Sequence, residues 1–300
     1  MAEPEISLVV PLHNEEGNLP VLYEEIKAVL EGLGRPYEIV FVNDASTDGT
    51  QRVLEAIKEK DPTVRVIVHE ENYGEAQSLS SGFCLCRGRV VVTMDGDGQN
   101  DPRDIPSLLD KLRDGYKAVS GWRVKRKESF LSKVLPSFVA NRLIALVTGV
   151  KVHDTGCGLK AYRGELVRGV VVPHGFHRFL PAYFGVEGRE VAEVKVKDRQ
   201  RLYGTSHYGL SRTKEVLRDL LTFPFVSDYR KWLPVMASLL LGCLFLCLVS
   251  FLLFVFGGGR LYLKGLIVFA FLCFALATMY RNLRRVAFIK EKRIVKRREL

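Results

Sequence analysis

The sequence predicts an α/β domain with a mainly parallel sheet, followed by two transmembrane helices. Residues 5–121 alternate short β-rich runs with amphipathic helical stretches, an order that gives a parallel sheet with helices on both faces. Polar and acidic residues follow three of the predicted strands, and residues 232–280 carry almost no charge. Together these observations indicate a ligand-binding α/β domain attached to a membrane.

Each predicted strand is a short run rich in β-branched or aromatic residues, and each predicted helix has apolar residues at helical spacing. The alternation assigns four strands and a fifth candidate near residue 119. The predicted strands are Ile6–Val10, Glu38–Val42, Val64–Val68, Arg89–Met94 and Ala118–Ser120. The predicted helices between them are Leu19–Leu30, Gln51–Lys60, Ala76–Cys86 and Ile105–Arg113.

Acidic and amide side chains follow the first, second and fourth predicted strands. Ligands of such sheets bind at the carboxyl ends of the strands, so these side chains should share one edge. Carboxylates gathered there repel unless a cation or hydrogen-bond donors join them, and Asp-x-Asp followed by Gln supplies oxygen ligands suited to Mg²⁺ or Mn²⁺. Any one cluster could instead cap a helix, but three in register favour a binding site. The candidates are Pro11, Asn14, Glu15, Asp44, Asp95, Asp97 and Gln99.

Charge and motif patterns exclude several other functions. The net charge is +10, but residues 281–300 carry nine Lys or Arg and two Glu, so the excess belongs mostly to this segment. That argues against nucleic-acid binding, where basic residues spread over a folded face. The sequence has no P-loop pattern, and no Gly-x-Gly-x-x-Gly follows the first strand, which disfavours P-loop enzymes and dinucleotide-binding folds.

Two long apolar runs predict a transmembrane hairpin. Trp232–Phe256 is 25 residues without a charge, and Leu261–Tyr280 contains only Lys264. At ~1.5 Å per residue the first would span about 37 Å as a helix, which is enough for a bilayer core and too long for a buried hairpin in a soluble protein. Arg230 and Lys231 precede the hairpin and the basic segment follows it. By the positive-inside rule, the large N-terminal domain and both termini should be cytoplasmic.

The predicted domains are 1–225, an α/β domain; 226–280, the hairpin with spans at about 232–256 and 261–280; and 281–300, a basic cytoplasmic tail. The tail either serves only as a topology signal or also attracts anionic headgroups. Residues 130–150 and 211–225 have amphipathic helical patterns interrupted by basic residues. They would lie in the membrane interface, with packing on the sheet as the alternative.

Seven segments carry a resemblance to a known family. They resemble family-2 glycosyltransferases of the GT-A fold, a Rossmann-like α/β fold, and look most like the polyprenyl-phosphate glycosyltransferases, the group that contains the dolichyl-phosphate mannose synthases. The blocks are Val9–Pro11 with Asn14–Glu15, Phe41–Thr50, Asn72–Ala76, Thr93–Pro102, Ser120–Arg123, Asp154–Arg163 and Arg201–Leu210.

The resemblance implies transfer of a sugar from a UDP- or GDP-sugar to a polyprenyl phosphate, undecaprenyl or dolichyl, at the cytoplasmic membrane face. Roles follow at the matching positions. Pro11, Asn14, Glu15 and Asp44 would line the nucleotide, and Asp95, Asp97 and Gln99 would hold the metal against its diphosphate. Arg201 and His207 would lie in the loop that closes on the diphosphate, although Lys is frequent at the latter position. Arg123 and Lys133 would hold the acceptor phosphate, and Asp154 matches a position often proposed as a base.

A phosphate monoester needs little activation as a nucleophile, because its second pKa lies near ~6. We therefore expect inversion at the anomeric carbon, with Asp97, Asp154 and Arg123 as the catalytic residues and Asp154 orienting rather than acting as a strong base. His177 and Arg178 fall in a loop expected to contact the sugar or the acceptor.

Two alternatives stay open from the sequence. One is a glycolipid-forming enzyme that transfers to a lipid hydroxyl and so needs a real general base. The other is a non-catalytic membrane protein that binds a nucleotide sugar, which the intact Asp95, Asp97 and Gln99 disfavour. Two spans per chain would allow a homo-oligomer without requiring one.

Overall fold

The computed structural model describes residues 3–124, 135–200, 211–257, 260–292 and 297–300. The candidate residues Lys133, Arg201 and His207, and the 130–134 part of the first predicted interface helix, lie outside the described residues.

The described strands and helices begin and end as follows. The strands are β1 Ile6–Leu12, β2 Tyr37–Asn43, β3 Val64–His69, β4 Val90–Thr93, β5 Ala118–Arg123, β6 Lys160–Arg163, β7 Val191–Val196 and β8 Arg297–Glu299. The α-helices are α1 Leu19–Gly32, α2 Thr50–Lys60, α3 Glu75–Leu85, α4 Ile105–Arg113, α5 Leu135–Thr148, α6 Gly164–Val167, α7 Leu180–Tyr183, α8 Ser211–Val226, α9 Tyr229–Gly257 and α10 Arg260–Lys292. Short 3₁₀ turns cover Pro102–Asp104, Phe176–Phe179 and Gly188–Glu190.

These strands form one mixed sheet in the order β7-β5-β6-β4-β1-β2-β3-β8. Strand β1 pairs in parallel with both β2 and β4, and β2 pairs in parallel with β3. The predicted α/β fold with a mainly parallel sheet is therefore confirmed. Because β1, β2 and β4 run in the same direction, the loops that follow them open on one edge of the sheet.

Strand β6 was not predicted, and it reverses the local direction of the sheet. It lies antiparallel between β4 and β5, where Lys160 pairs with Thr93 on one side and with Ser120 on the other. Its four residues are too short to show a strand period, so sequence pattern alone could not assign it. Strand β7, which pairs in parallel with β5, was missed as well.

The segment expected to be a basic tail differs from that expectation. Helix α10 continues to Lys292, and Arg297–Glu299 pairs antiparallel with β3. The Glu299 carboxylate lies 2.7 Å from an Arg65 guanidinium nitrogen, and the Leu300 amide donates to the Val66 carbonyl at 3.0 Å. Strand β8 thus covers an edge of β3 that would otherwise present unpaired backbone groups.

Residues 214–292 form a second compact unit, containing most of α8 together with α9 and α10. Within the described part of the chain, two helical stretches are long and apolar enough to cross a membrane, Tyr229–Gly257 with mean hydropathy 3.0 and Leu261–Lys290 with 2.1. Inside this unit the Asn282 amide donates to Thr222 Oγ1 at 2.8 Å and to Asp219 Oδ1 at 3.3 Å. These bonds give buried polar groups partners between α8 and α10.

A buried carboxylate secures the edge of the sheet opposite the candidate site. Glu38, at the start of β2, accepts hydrogen bonds from Ser7 Oγ at 2.6 Å and from the Arg87 amide at 2.6 Å, and its Oε2 lies 3.0 Å from Arg87 Nη2. Burial acts to raise the pKa of Glu38, but these hydrogen bonds and the Arg87 charge outweigh it and hold the pKa below its usual value.

Replacing this carboxylate should cost stability in a pH-dependent way. We expect Glu38→Gln to lower the free energy of unfolding at pH 7 by about 2–4 kcal/mol, because Arg87 and Arg65 lose their buried partner. A carboxylate whose pKa is lowered by folding stabilises the protein only at pH values where it is ionised. The difference in unfolding free energy between wild type and the variant should therefore shrink below about pH 4. Thermal unfolding in detergent across pH measures this, with exposed Glu59→Gln as the control. A difference in unfolding free energy that did not change with pH would contradict this role of ionised Glu38.

Candidate functional site

The loops after β1 and β2 are bonded to each other. The Asn14 amide donates to Ser46 Oγ at 2.9 Å, and Asn14 Oδ1 accepts from the Thr47 amide at 2.7 Å. Asn14 and Ala45 have positive φ values of 57° and 51°, which turn both loops sharply at this edge. The Glu15 amide donates to Thr50 Oγ1 at 2.8 Å. Two of the predicted nucleotide-lining residues are thereby fixed in one interlocked pair of loops.

Asp44 has an internal structural role that sequence reasoning missed. Its Oδ1 lies 2.7 Å from His69 Nδ1 and accepts from the Tyr73 amide at 2.9 Å, and its Oδ2 accepts from the Gly74 amide at 2.7 Å. His69 Nε2 lies 2.8 Å from Ser81 Oγ. Because a carboxylate accepts hydrogen bonds, Nδ1 donates a hydrogen bond to Asp44. Asp44 therefore holds the 73–74 turn in place.

Asp95 and Asp97 follow β4, where the sequence placed them. The Asp97 carboxylate accepts from the Gln99 amide at 3.0 Å, and the Asp95 amide donates to Asn100 Oδ1 at 3.2 Å, so a tight turn presents both carboxylates. Burial raises the pKa of Asp95 to about 7, and the negative charges of Glu75 and Asp97 add to the rise. Such crowding of carboxylates is typical of a site that receives a cation.

Gly158, on the loop before β6, makes room for Asp95. A Cβ atom on Gly158 would come within 2.1 Å of the Asp95 carboxylate, so no larger residue fits without moving it. In the part of the chain that the structure describes, no three His, Cys, Asp or Glu side chains form a complete metal-holding group. The hard oxygens of Asp95, Asp97 and Gln99 suit Mg²⁺ or Mn²⁺, and phosphate oxygens of a bound nucleotide would complete the coordination.

A cleft opens beside Asp95, and we call it the carboxylate cleft. Its lining includes Pro11 and four polar residues, Glu75, Asp95, Lys160 and His177. His177 Nε2 lies 3.5 Å from Glu75 Oε2. The structure thus joins the predicted Pro11, Asp95 and His177 in one place and adds Glu75 and Lys160, for which the sequence suggested no role.

Arg123 and Asp154 form a buried ion pair at the end of β5. Arg123 Nε lies 2.8 Å and Nη2 lies 3.2 Å from the two Asp154 oxygens, and Arg123 Nη1 lies 4.0 Å from Asp198. The side chain of Asp154 is 1% exposed and that of Arg123 is 12% exposed. Burial acts to lower the pKa of Arg123, but the Asp154 carboxylate outweighs it and raises that pKa well above the usual value. The structure thus brings together two residues that the sequence analysis had assigned separate roles, with Nε and Nη2 of the guanidinium bonded to Asp154.

A second cleft lies on the other side of Lys160, and we call it the apolar cleft. Its walls are mostly apolar, and Arg178 also lines it. His177 and Arg178 therefore face different clefts, although they are adjacent in the Phe176–Phe179 turn. Arg178 was a candidate from the sequence, whereas Lys160 was not, because its burial in a four-residue strand appears only in the fold.

Comparison with known proteins identifies the family. The model for glycosyl transferase family 2 matches residues 7–170, a region that contains β1–β6 and the carboxylates described above. This chain belongs to glycosyl transferase family 2. As a member, it is a glycosyltransferase, and the enzyme class expected from the sequence is confirmed.

Several curated family 2 proteins are similar over much of the chain. A dodecaprenyl-phosphate galacturonate synthase of Rhizobium johnstonii is 38% identical over 230 residues, covering 75% of this chain and 68% of the relative. An undecaprenyl-phosphate 4-deoxy-4-formamido-L-arabinose transferase of Shewanella sediminis is 36% identical over 218 residues, 72% of this chain and 66% of the relative. The Pseudomonas aeruginosa protein of that name is 35% identical, with 64% of its length covered. The chain thus spans about two thirds of these relatives, and just under two thirds of the arabinose transferases.

Solved structures share the fold of this family 2 chain. Glucosyl-3-phosphoglycerate synthase from Mycobacterium tuberculosis, solved with Mn²⁺ and UDP-glucose, gives a TM-score of 0.57 at 21% identity, covering 74% of this chain and 78% of that one. Mannosyl-3-phosphoglycerate synthase from Rubrobacter xylanophilus also gives 0.57, at 17% identity, covering 76% and 75%. At these identities the likeness supports the GT-A fold alone.

The engagement of Asp44 leads to a stability prediction. We expect Asp44→Asn to lower the free energy of unfolding by about 2–3 kcal/mol. The side-chain amide has only one acceptor oxygen for the three donors of His69, Tyr73 and Gly74, and its NH₂ group would face one of those N–H groups. Thermal unfolding in detergent without nucleotide measures this, with exposed Asp110→Asn as the control. A variant of unchanged stability that only lost nucleotide affinity would show that Asp44 is a ligand-binding group instead.

Proposed function

We propose that this family 2 chain transfers a sugar from a nucleotide-diphosphate sugar to a polyprenyl phosphate, with inversion at the anomeric carbon. The observation that carries the proposal is the carboxylate cleft at the carboxyl edge of the sheet, which Asp95 and Lys160 both line, with the charge of Asp97 acting on Asp95. The names of the relatives support the choice of acceptor. They differ in the sugar, galacturonate or a formamido-arabinose, but all name a polyprenyl phosphate.

Asp95, Asp97 and Gln99 would hold a divalent metal, Mg²⁺ or Mn²⁺, at the turn after β4. When bound, the ion would neutralise charge on the leaving diphosphate. The chain's own contribution is to keep both aspartates close together against their repulsion, through the 97–99 turn and the space left at Gly158. The interlocked loops of Asn14 and Glu15 would receive the nucleotide beside them, with UDP and GDP both open.

The Arg123–Asp154 pair supports a phosphate acceptor over a lipid hydroxyl. A hydroxyl nucleophile needs a general base, and both carboxylate oxygens of Asp154 are instead bonded to the Arg123 guanidinium, at 2.8 and 3.2 Å. A phosphate monoester is already largely ionised near pH 7, so orientation suffices. We assign Asp154 to positioning Arg123 near the reacting groups rather than to proton removal.

Apolar surfaces on the chain support action at a membrane. Helix α5 exposes Leu143, Leu146 and Val147, and the exposure of Leu146 reaches 81%. Helix α8 exposes Leu217 and Leu221 by about half. These faces fit the predicted interface helices, while α9 and α10 have the length and composition of spans. A membrane location would bring the lipid to the site by its headgroup.

The chain's connectivity supports one topology. Residues up to Thr213 and from Arg293 onward fall in one compact unit, and β8 pairs with β3 of the sheet. A chain that leaves the sheet, enters a two-helix hairpin and returns to the same sheet must enter and leave the membrane on one face. The basic flanks at Arg230, Lys231 and 281–298 then assign that face to the cytoplasm.

The transfer proposal is tested with purified protein in detergent, a short polyprenyl phosphate and Mn²⁺. Offered a panel of UDP- and GDP-sugars, the protein should release nucleotide diphosphate and form a sugar-phosphate-lipid from at least one donor, in a reaction that EDTA stops. Gly158→Ala should lower turnover at least about a hundredfold, because the new Cβ displaces the Asp95 carboxylate.

Gly156→Ala is the matched control, because its Cβ would meet Arg123 and Asp154 only at 3.7 Å, an ordinary contact distance. It should retain most of the activity. Product on a lipid hydroxyl, or diphosphate release without a lipid product, would refute the proposed acceptor. Full activity of Gly158→Ala would refute the role of Asp95.

The topology is tested by cysteine labelling in a chain whose six native cysteines have been replaced. With a membrane-impermeant maleimide, Lys151→Cys and Arg298→Cys should react from the cytoplasmic face. Gly258→Cys, between the two helices, should react from the opposite face. Labelling of Lys151→Cys and Arg298→Cys from different faces would contradict a hairpin with both flanks on one side.

A further inference from the structure

Lys160 lies at the junction of the two clefts and is buried. It is the first residue of β6, paired with Thr93 and Ser120, and it is 5% exposed. It lines both the carboxylate cleft and the apolar cleft. A lysine ammonium is rarely buried in a protein unless it is paired, since removing it from water costs several kcal/mol.

The ammonium of Lys160 has few partners among the residues that the structure describes. Within those residues its Nζ donates one hydrogen bond, to the Thr155 carbonyl at 3.1 Å, and makes no ion pair with a carboxylate. A protonated lysine has three donors, so two remain for a ligand. Burial lowers the pKa of Lys160, while the negative charges of Glu75, Asp95 and Asp154 oppose that shift. An anion bound at Nζ would supply the missing compensation.

The apolar cleft has the composition that suits a lipid phosphate. Ile144, Val150, Val152 and Phe179 form apolar walls, while Lys160 and Arg178 place two cations on its lining. Helix α5, which supplies Ile144, exposes Leu146 and Val147 on its outer side. Positive charge beside an apolar wall is the complement of a phosphate attached to a hydrocarbon chain.

Arg123 is less available for that phosphate than the sequence suggested. Its Nε and Nη2 are bonded to Asp154, and its Nη1 faces Asp198. To bind a phosphate through Nε or Nη2, Arg123 would first have to leave a buried carboxylate, which costs several kcal/mol, and only Nη1 could bind without that exchange. Lys160 could bind a phosphate without breaking an ion pair, because the ligand would accept from the ammonium alongside its hydrogen bond to Thr155.

We propose, resting on the proposed function, that Lys160 binds the phosphate of the lipid acceptor, with the first isoprenoid carbons against Val150, Val152 and Phe179. Lys160 stands between the acceptor in the apolar cleft and Asp95 in the carboxylate cleft. A phosphate held there lies beside the place where the donor's sugar is expected, so Lys160 positions the nucleophile for attack.

The test compares Lys160→Met with Lys151→Met, an exposed lysine next to Val150 and Val152 that serves as the matched control. Lys160→Met should raise the KM for a short polyprenyl phosphate at least about tenfold, the loss expected for one charged hydrogen bond, with the donor KM within about twofold of wild type. Lys151→Met should change neither. Lys160→Arg keeps the charge and should recover part of the acceptor affinity. Thermal unfolding verifies that each variant folds.

Binding of farnesyl phosphate without donor separates this inference from the proposed function. Loss of binding in Lys160→Met supports the inference even if no donor gives transfer, in which case the proposed function fails alone. Normal transfer with an unchanged acceptor KM and unchanged farnesyl phosphate binding in Lys160→Met overturns the inference and leaves the function standing. A rise confined to the donor KM also overturns it, because Lys160 would then serve the diphosphate.

Discussion

The structure depends on how buried negative charge is compensated at the carboxyl edge of its sheet. Asp44 is compensated by two backbone amides and His69, Asp154 by Arg123, and Asp101 by Arg103 and Arg199. Asp95 differs, because its electrostatic neighbours include the carboxylates of Glu75 and Asp97, and its pKa rises to about 7. A parallel sheet that gathers acids at one edge must stabilise them individually, and the acid with the least internal compensation marks where a cation belongs.

The candidate residues fall into two groups: some stabilise the loops at the carboxyl edge of the sheet, and others are proposed to contact ligands. Asp44, Asn14 and Glu15 hold loops together, so in the proposed reaction they would serve nucleotide binding largely by preorganising the backbone. The Arg123–Asp154 pair is also internally satisfied. Lys160 has a single hydrogen bond within the described part of the chain, and its proposed role is to meet a ligand. Under that proposal Arg123 and Lys160 have different roles, although their charge is the same.

Much of the fold followed from the sequence because its signals are local. The strands β1–β5 and helices α1–α4 have clear periods, and the acids after β1, β2 and β4 share an edge once a parallel order is assumed. Strands β6 and β8 are only three to four residues long, and they form by pairing with strands that are far away in sequence. A local sequence pattern therefore does not predict them. The same reason hid the roles of Asp44 and Lys160, whose decisive contacts come from loops and strands elsewhere in the chain.

Strand β8 has a consequence for the order in which the protein is made. Residues 297–299 leave the ribosome after α9 and α10, yet they complete the sheet beside β3. During synthesis, β3 therefore has an open edge for as long as the two apolar helices are being made. Unpaired strand edges invite pairing with other chains. Synthesis of the apolar helices and completion of the sheet are thus sequential events, and a chain stalled between them is the species most exposed to aggregation.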